Sequence, residues 1–177
     1  TFVYITHDQS EALVMSDQVA VMNHGRFEQV GSPQQLYYQP KTAFVAGFVG
    51  NNNRFEGRIE RRDGEQVLMR SAGGLPLWAQ RVGTVDIGQA AQLFIRPEAI
   101  EIARMAHELP AGEPSWRAKV QSVLFDGGNS TVQVLESHSQ APLHIALPLT
   151  GRLADLRAGE TVHFTYQPSQ AWCFAAA

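Results

Sequence analysis

The sequence predicts a mainly β chain, a duplicated barrel or sandwich of short strands preceded by a brief α/β stretch. Three observations support that class. From Asn51 onward, strand-length apolar segments alternate with Gly, Pro and Asp punctuation, the pattern of an all-β barrel or sandwich. Within this region Gly88–Pro97 aligns without gaps on Gly159–Pro168, an offset of 71 residues; each copy is a turn glycine, an apolar strand, a proline break and another apolar strand. Before Asn51 the texture differs, with helix caps and a hairpin turn following one apolar run.

Phe2–Ile5 is apolar and β-prone, so a buried strand is expected there. Thr6-His7-Asp8 breaks it. Asp8 is placed to N-cap a helix, and Glu11 sits at the spacing of a capping box. Ala12, Leu13, Met15 and Val19 supply apolar side chains behind it. His7 then lies at the carboxyl end of a strand, just ahead of a helix, the edge where open α/β sheets bind ligands. Gln18–Met22 and Arg26–Val30 are expected to form a hairpin through Asn23-His24-Gly25, with His24 an exposed turn residue. Ser32-Pro33-Gln34-Gln35 signals a helix, with Ser32 as N-cap, Pro33 at the first position and Gln35 closing a capping box. It must stop before Pro40, with Leu36 and Tyr37 toward the core. Thr42–Val49 reads as a short helix carrying Ala43, Phe44, Phe48 and Val49 on one side, with Gly50 as its C-terminal cap.

Further on, strands are expected near 54–61, 66–70, 75–79, 91–96 and 99–103. A linker with Pro110, Gly112 and Pro114 follows, then strands near 116–125, 130–135, 143–147, 161–166 and 171–174. Phe55–Ile59 resembles Trp116–Val120, and Pro76-Leu77 resembles Pro142-Leu143, in the same order as the longer match. Two related halves, at about 53–103 and 115–175, are implied. One copy of about 50 residues is marginal for burying its own core, so two copies sharing one core are expected.

Composition removes several classes. A formal charge of −3 leaves no basic footprint for nucleic acid or anionic lipid. The longest apolar stretch, Ala43–Val49, is too short to span a bilayer. The single Cys173 excludes an internal disulfide and fits a reducing compartment, and the six histidines are scattered without zinc-ligand spacing. Trp78, Trp116 and Trp172 sit within apolar strand patterns, and Arg58, Arg61, Arg62 and Arg70 are offset by Glu56, Glu60, Asp63 and Glu65, so single-strand binding is not expected.

Thr6-His7-Asp8-Gln9-x-Glu11-Ala12 after an apolar run resembles the switch-histidine loop of ABC transporter ATP-binding subunits. The likeness continues through Ser16–Arg26 and Gly31-Ser32-Pro33 to about Gly50. Ile95-Arg96-Pro97-Glu98 resembles the Arg-Pro-Glu motif of the transport-associated OB domain that follows the nucleotide-binding domain in bacterial importers. The resemblance implies residues 1–50 as the end of the α/β ATPase domain and 51–177 as an OB-like accessory domain. It makes His7 the catalytic-site residue, placed near the γ-phosphate of ATP. No Gly-x-x-x-x-Gly-Lys-Ser/Thr loop occurs in the 177 residues, so the chain is read as the C-terminal part of a longer ATPase that alone neither binds ATP tightly nor hydrolyses it. ATP and Mg²⁺ are expected in the intact parent only.

The resemblance also implies a second copy as homodimer partner, inner-membrane permease subunits, and indirectly a periplasmic solute-binding protein, at the cytoplasmic face of the bacterial inner membrane. The β domain would serve dimerisation and regulation. Phe48–Arg54 resembles the junction of the spermidine/putrescine group, so polyamine is the first expected solute, with ferric iron, sulfate or sugar as alternatives. The competing reading is a stand-alone OB-like module for a small anion or oligonucleotide. Gly127-Gly128-Asn129 is its candidate backbone anion nest. Arg96 and Glu98 are read first as a fixed strand exit around Pro97, and second as a ligand or subunit contact.

Overall fold

A computed structural model describes residues 2–125, 130–147, 151 and 153–176. The chain divides into two compact units, 1–51 and 52–177.

The first unit contains α1 (Gln9–Met15), the antiparallel hairpin β1 (Val19–Asn23) and β2 (Arg26–Gly31), α2 (Pro33–Tyr38) and α3 (Ala43–Phe48). The hairpin turns on His24 and Gly25, both at positive φ (47° and 76°), the geometry a two-residue loop needs to follow the strand twist. Ser32 caps α2 as its sequence requires: Ser32 Oγ accepts the Gln35 amide at 3.2 Å and Gln35 Oε1 accepts the Ser32 amide at 2.9 Å. The small core holds Val21, Leu36, Val45 and Val49, with Leu13, Val19 and Tyr37 packed partly against it. Buried Gln29 pins the chain leaving α2, donating to the Gln39 carbonyl and accepting the Lys41 amide.

Two sequence expectations fail here. Phe2–Ile5 forms no strand, and its side chains are exposed. A strand needs a neighbour's amides, and the sheet of this unit contains only β1 and β2. In α3 the buried side is Val45 and Ala46, continued by Val49. Phe44 and Phe48 stack on each other outside, ring centroids 5.6 Å apart and ring planes nearly parallel.

The second unit is built from two sheets around one continuous core. A closed barrel contains β3 (Asn53–Asp63), β4 (Gln66–Ser71), β5 (Pro76–Val82), β6 (Ala90–Ile95) and β12 (Ala171–Ala175). The other sheet runs β10 (Pro142–Ala146), β9 (Thr131–Glu136), β8 (Trp116–Leu124), β11 (Thr161–Tyr166), β7 (Ile100–Ala103).

The duplication keeps its register through most of the strand pairings. After β6, Pro97–Ala99 forms one 3-10 turn and β7 crosses to pair with β11; after β11, Pro168–Gln170 does the same and β12 crosses back to β6. Ile100 pairs with Tyr166, and the related pair is Ala171 with Ile95. Phe55 pairs with Leu93 as Trp116 pairs with Phe164. The irregularity in β3 between Ile59 and Arg61 recurs in β8 between Val120 and Ser122. Proline removes a ladder donor at each strand exit, so the chain must leave its sheet there.

The exchange makes the core common property. Tyr166, on β11, donates its hydroxyl to the Trp78 carbonyl on β5 at 3.0 Å. Trp116 stacks on Phe164 and Tyr166. Gly73 in the β4–β5 turn has no room for a side chain, since a Cβ would stand 2.9 Å from Cβ of Ser139 in the β9–β10 turn.

Candidate functional site

His7 lies in the bend between the apolar run and α1, and its side chain is exposed. The local hydrogen bonds explain why. Asp8 Oδ1 accepts the amides of Ser10 (2.8 Å) and Glu11 (3.3 Å), so Asp8 is the N-cap expected of it. The reciprocal half of the capping box does not form. The Asp8 amide donates instead to Thr6 Oγ1 at 3.0 Å, and the Glu11 carboxylate collects the hydroxyls of Thr6 (2.9 Å) and Tyr4 (3.2 Å). Glu11 thus ties the apolar run to the helix rather than closing the cap. Gln9 is occupied too, its Oε1 accepting the Gly50 amide at 2.6 Å beyond α3.

Thr6, Asp8, Gln9 and Glu11 are therefore committed to holding the turn. Among the described residues, the His7 ring makes no hydrogen bond. Imidazole can donate from one nitrogen and accept at the other, so an uncommitted ring can address a phosphate oxygen or a water. Neither the phosphate loop nor a group of three or more His, Cys, Asp or Glu able to hold a metal occurs among the described residues.

The remaining candidates separate. His24 is a turn residue. Arg96 is buried at the exit of β6, immediately before the Pro97 turn, and Glu98 is exposed. Of the tryptophans, Trp116 belongs to the stack in the second unit and Trp78 lies under the Arg61 guanidinium at 5.7 Å. The glycine-asparagine nest over 127–129 lies outside the described residues. Glu136, a polar residue the sequence reading did not single out, is buried at the end of β9. Its carboxylate accepts the Ser139 amide (2.6 Å), the Ser139 hydroxyl (2.7 Å) and the His138 amide (3.0 Å). The run Ser137-His138-Ser139 directly after it, rich in short donors, was the available signal.

Comparison with known proteins adds three findings. Residues 93–174 match the TOBE domain family. The chain is 39% identical over 164 residues to the spermidine/putrescine import ATP-binding protein PotA of Rubrobacter xylanophilus, and 44% identical over 164 residues to PotA of Roseobacter denitrificans. It is 36% identical over 165 residues to the sulfate/thiosulfate import ATP-binding protein CysA of Ralstonia nicotianae. Each alignment covers 92 or 93% of this chain but 42% of the relative, so the chain spans about two fifths of their length. Among solved structures, the cytoplasmic molybdate-binding protein ModG superposes with a TM-score of 0.60 at 13% identity, over 70% of this chain and 96% of that one. That likeness is one of fold, of the OB type.

Proposed function

This chain is a TOBE-domain relative of the ABC importer ATP-binding subunits, and from that premise we propose that it works as part of such a subunit, coupling ATP hydrolysis to solute uptake. The observation that carries the proposal is the turn that presents His7, with the side chains of Thr6, Asp8, Gln9 and Glu11 engaged and the imidazole exposed. In the intact subunit, ATP with Mg²⁺ supplies the phosphoryl group. The chain's own contribution is one positioned ring that contacts the terminal phosphate or its attacking water, and phosphoryl transfer depends chiefly on such positioning.

The first unit carries the marks of a piece of a larger α/β domain. Phe2 is 88% exposed and Ile5 91%, which suits a strand whose sheet neighbours lie elsewhere in the subunit. Val14, Met15, Phe44 and Phe48 add further uncovered apolar surface. No helix among the described residues is long and apolar enough to cross a membrane. By analogy with the import ATP-binding relatives, the working assembly is two copies closing on nucleotide, with membrane-spanning permease subunits and a periplasmic solute-binding protein supplied by other chains, at the cytoplasmic face of the inner membrane. The second unit serves dimer contact and regulation. Polyamine is the solute favoured by the PotA relatives, and the CysA relative makes sulfate the alternative.

The test is His7→Ala in the intact subunit. ATP turnover should fall by roughly 10²-fold, the scale of losing one positioned polar contact in a transition state, while nucleotide binding is retained. Unchanged turnover would remove His7 from the mechanism.

A further inference from the structure

The two halves of the second unit carry the same surface groove with different linings. On the first half it is lined by Glu56, Arg58, Glu60, Arg70, Ala72 and Ala90. The positions related to these by the internal repeat are Arg117, Lys119, Gln121, Leu135, Ser137 and Thr161, and they line the groove on the second half.

The first groove neutralises itself. Arg70 grips the Glu60 carboxylate through two nitrogens at 2.5 and 2.9 Å, and Arg58 donates to the Gly88 carbonyl. In the second groove Arg117 stands where Glu56 stood, Gln121 where Glu60 stood, and Lys119 keeps the cation of Arg58. Among the described residues neither Arg117 nor Lys119 has an ion-pair partner. The nearest acids are engaged elsewhere: Glu160 with Arg104 and the Arg157 amide, Glu136 with the turn that follows it. Two adjacent cations are thus left facing water on a chain of net charge −3.

We propose that this groove docks an extended acidic segment of a partner protein, with alternate carboxylates on Arg117 and Lys119. The two cations are alternate residues of β8, about 7 Å apart along the strand, which is the spacing at which an extended peptide presents its own alternate side chains. Leu135 gives an apolar floor, and Ser137 and Thr161 offer hydroxyls at the rim. A free small anion is the poorer occupant. Backbone amides beneath the groove are used in the β8–β9 and β8–β11 ladders, so none converge on an ion, and exposed cations alone hold one weakly against salt. A peptide engages both cations and the floor together.

The experiment is a fluorescence-anisotropy titration of a labelled peptide of alternating Glu and Thr with the full chain. Saturable binding that weakens with salt is expected. Arg117→Glu with Lys119→Glu should weaken it by at least about tenfold, and Arg58→Gln on the first half should leave it unchanged. Arg117→Gln with Lys119→Gln provides the same reading if charge reversal impairs folding, judged by tryptophan fluorescence. Absence of saturable binding, equal binding of the Gln-for-Glu peptide, survival of binding in both double variants, or displacement by equimolar inorganic phosphate would overturn the proposal.

Discussion

Replacing Glu136 by alanine should destabilise the second unit by about 2–4 kcal/mol at neutral pH. The carboxylate is 1% exposed, and one of its oxygens accepts three hydrogen bonds from Ser139 and His138. Hydrogen bonds to a charged group contribute about 1.5–3 kcal/mol each, but burying the charge costs several, so the net loss is smaller than their sum. The pH dependence has a definite sign. Burial pushes the Glu136 carboxyl up. The Ser139 amide and hydroxyl with the His138 amide outweigh it, and the group ends below the usual carboxylate range. Its stabilisation is therefore fully present above about pH 4.3, the ordinary value in an unfolded chain, and is lost as pH falls through the lower folded-state value. Urea unfolding at stepped pH, followed by tryptophan fluorescence, reads this unit alone, because all three tryptophans lie in it. Glu136→Gln keeps the shape and one accepting oxygen without a titrating group. It should lose less stability than the alanine variant and flatten the acid slope. An alanine variant within about 0.5 kcal/mol of wild type, or an undiminished slope in the glutamine variant, would refute the reasoning.

Gly57→Ala should cost about 1–3 kcal/mol or more in the same assay, because a Cβ there overlaps the Arg70 carbonyl and stands 2.9 Å from the Ser71 Cα across the β3–β4 ladder; a neutral result would mean that the ladder yields. Burial pushes the Cys173 thiol up to about 12, so alkylation at mildly alkaline pH should be slow in the folded chain and fast in urea, and a folded-state rate equal to that of free cysteine would contradict its placement.

Strand positions in the second unit were legible because turn glycines and prolines bound each apolar segment, and because the repeat checks one half against the other. The pairing of β12 with β5 was not. It is parallel and depends on where the chain crosses after Pro168, which no local pattern encodes. In the first unit, local chemistry predicted the α2 cap and the hairpin turn, while the fate of Phe2–Ile5 turned on neighbours the run itself does not specify. Phe44 and Phe48 misled for a related reason. Their spacing puts them together on one side of α3, but the smaller Val45 and Ala46 face the core. The position of His7 just ahead of a capped helix could be read from the residues, although the strand expected before it does not form. Its freedom could not, because it follows from Glu11 turning to Thr6 and Tyr4.

Reciprocal strand exchange would make the two halves equivalent if both rings closed, and the described sheets close only one. In the first, β12 lies beside β5 through three residue pairs, Trp172 with Gln80, Cys173 with Arg81 and Phe174 with Val82. In the second, β7 and β10 remain the two edges of the sheet. Asn53 substitutes for the missing ladder at one point: its side-chain oxygen accepts the His144 amide at 2.7 Å and its nitrogen donates to the His144 carbonyl at 2.8 Å. One carboxamide thus satisfies the outward groups of a strand residue without bringing a strand, so the edge is protected but the seam stays open. The closed half is also the half whose groove neutralises its own charges, and the open half is the one where, among the described residues, Arg117 and Lys119 have no ion-pair partner. A duplicated domain needs only one copy to hold the shared core rigid. The other is free to differ on its surface, as the lining of the second groove does from that of the first.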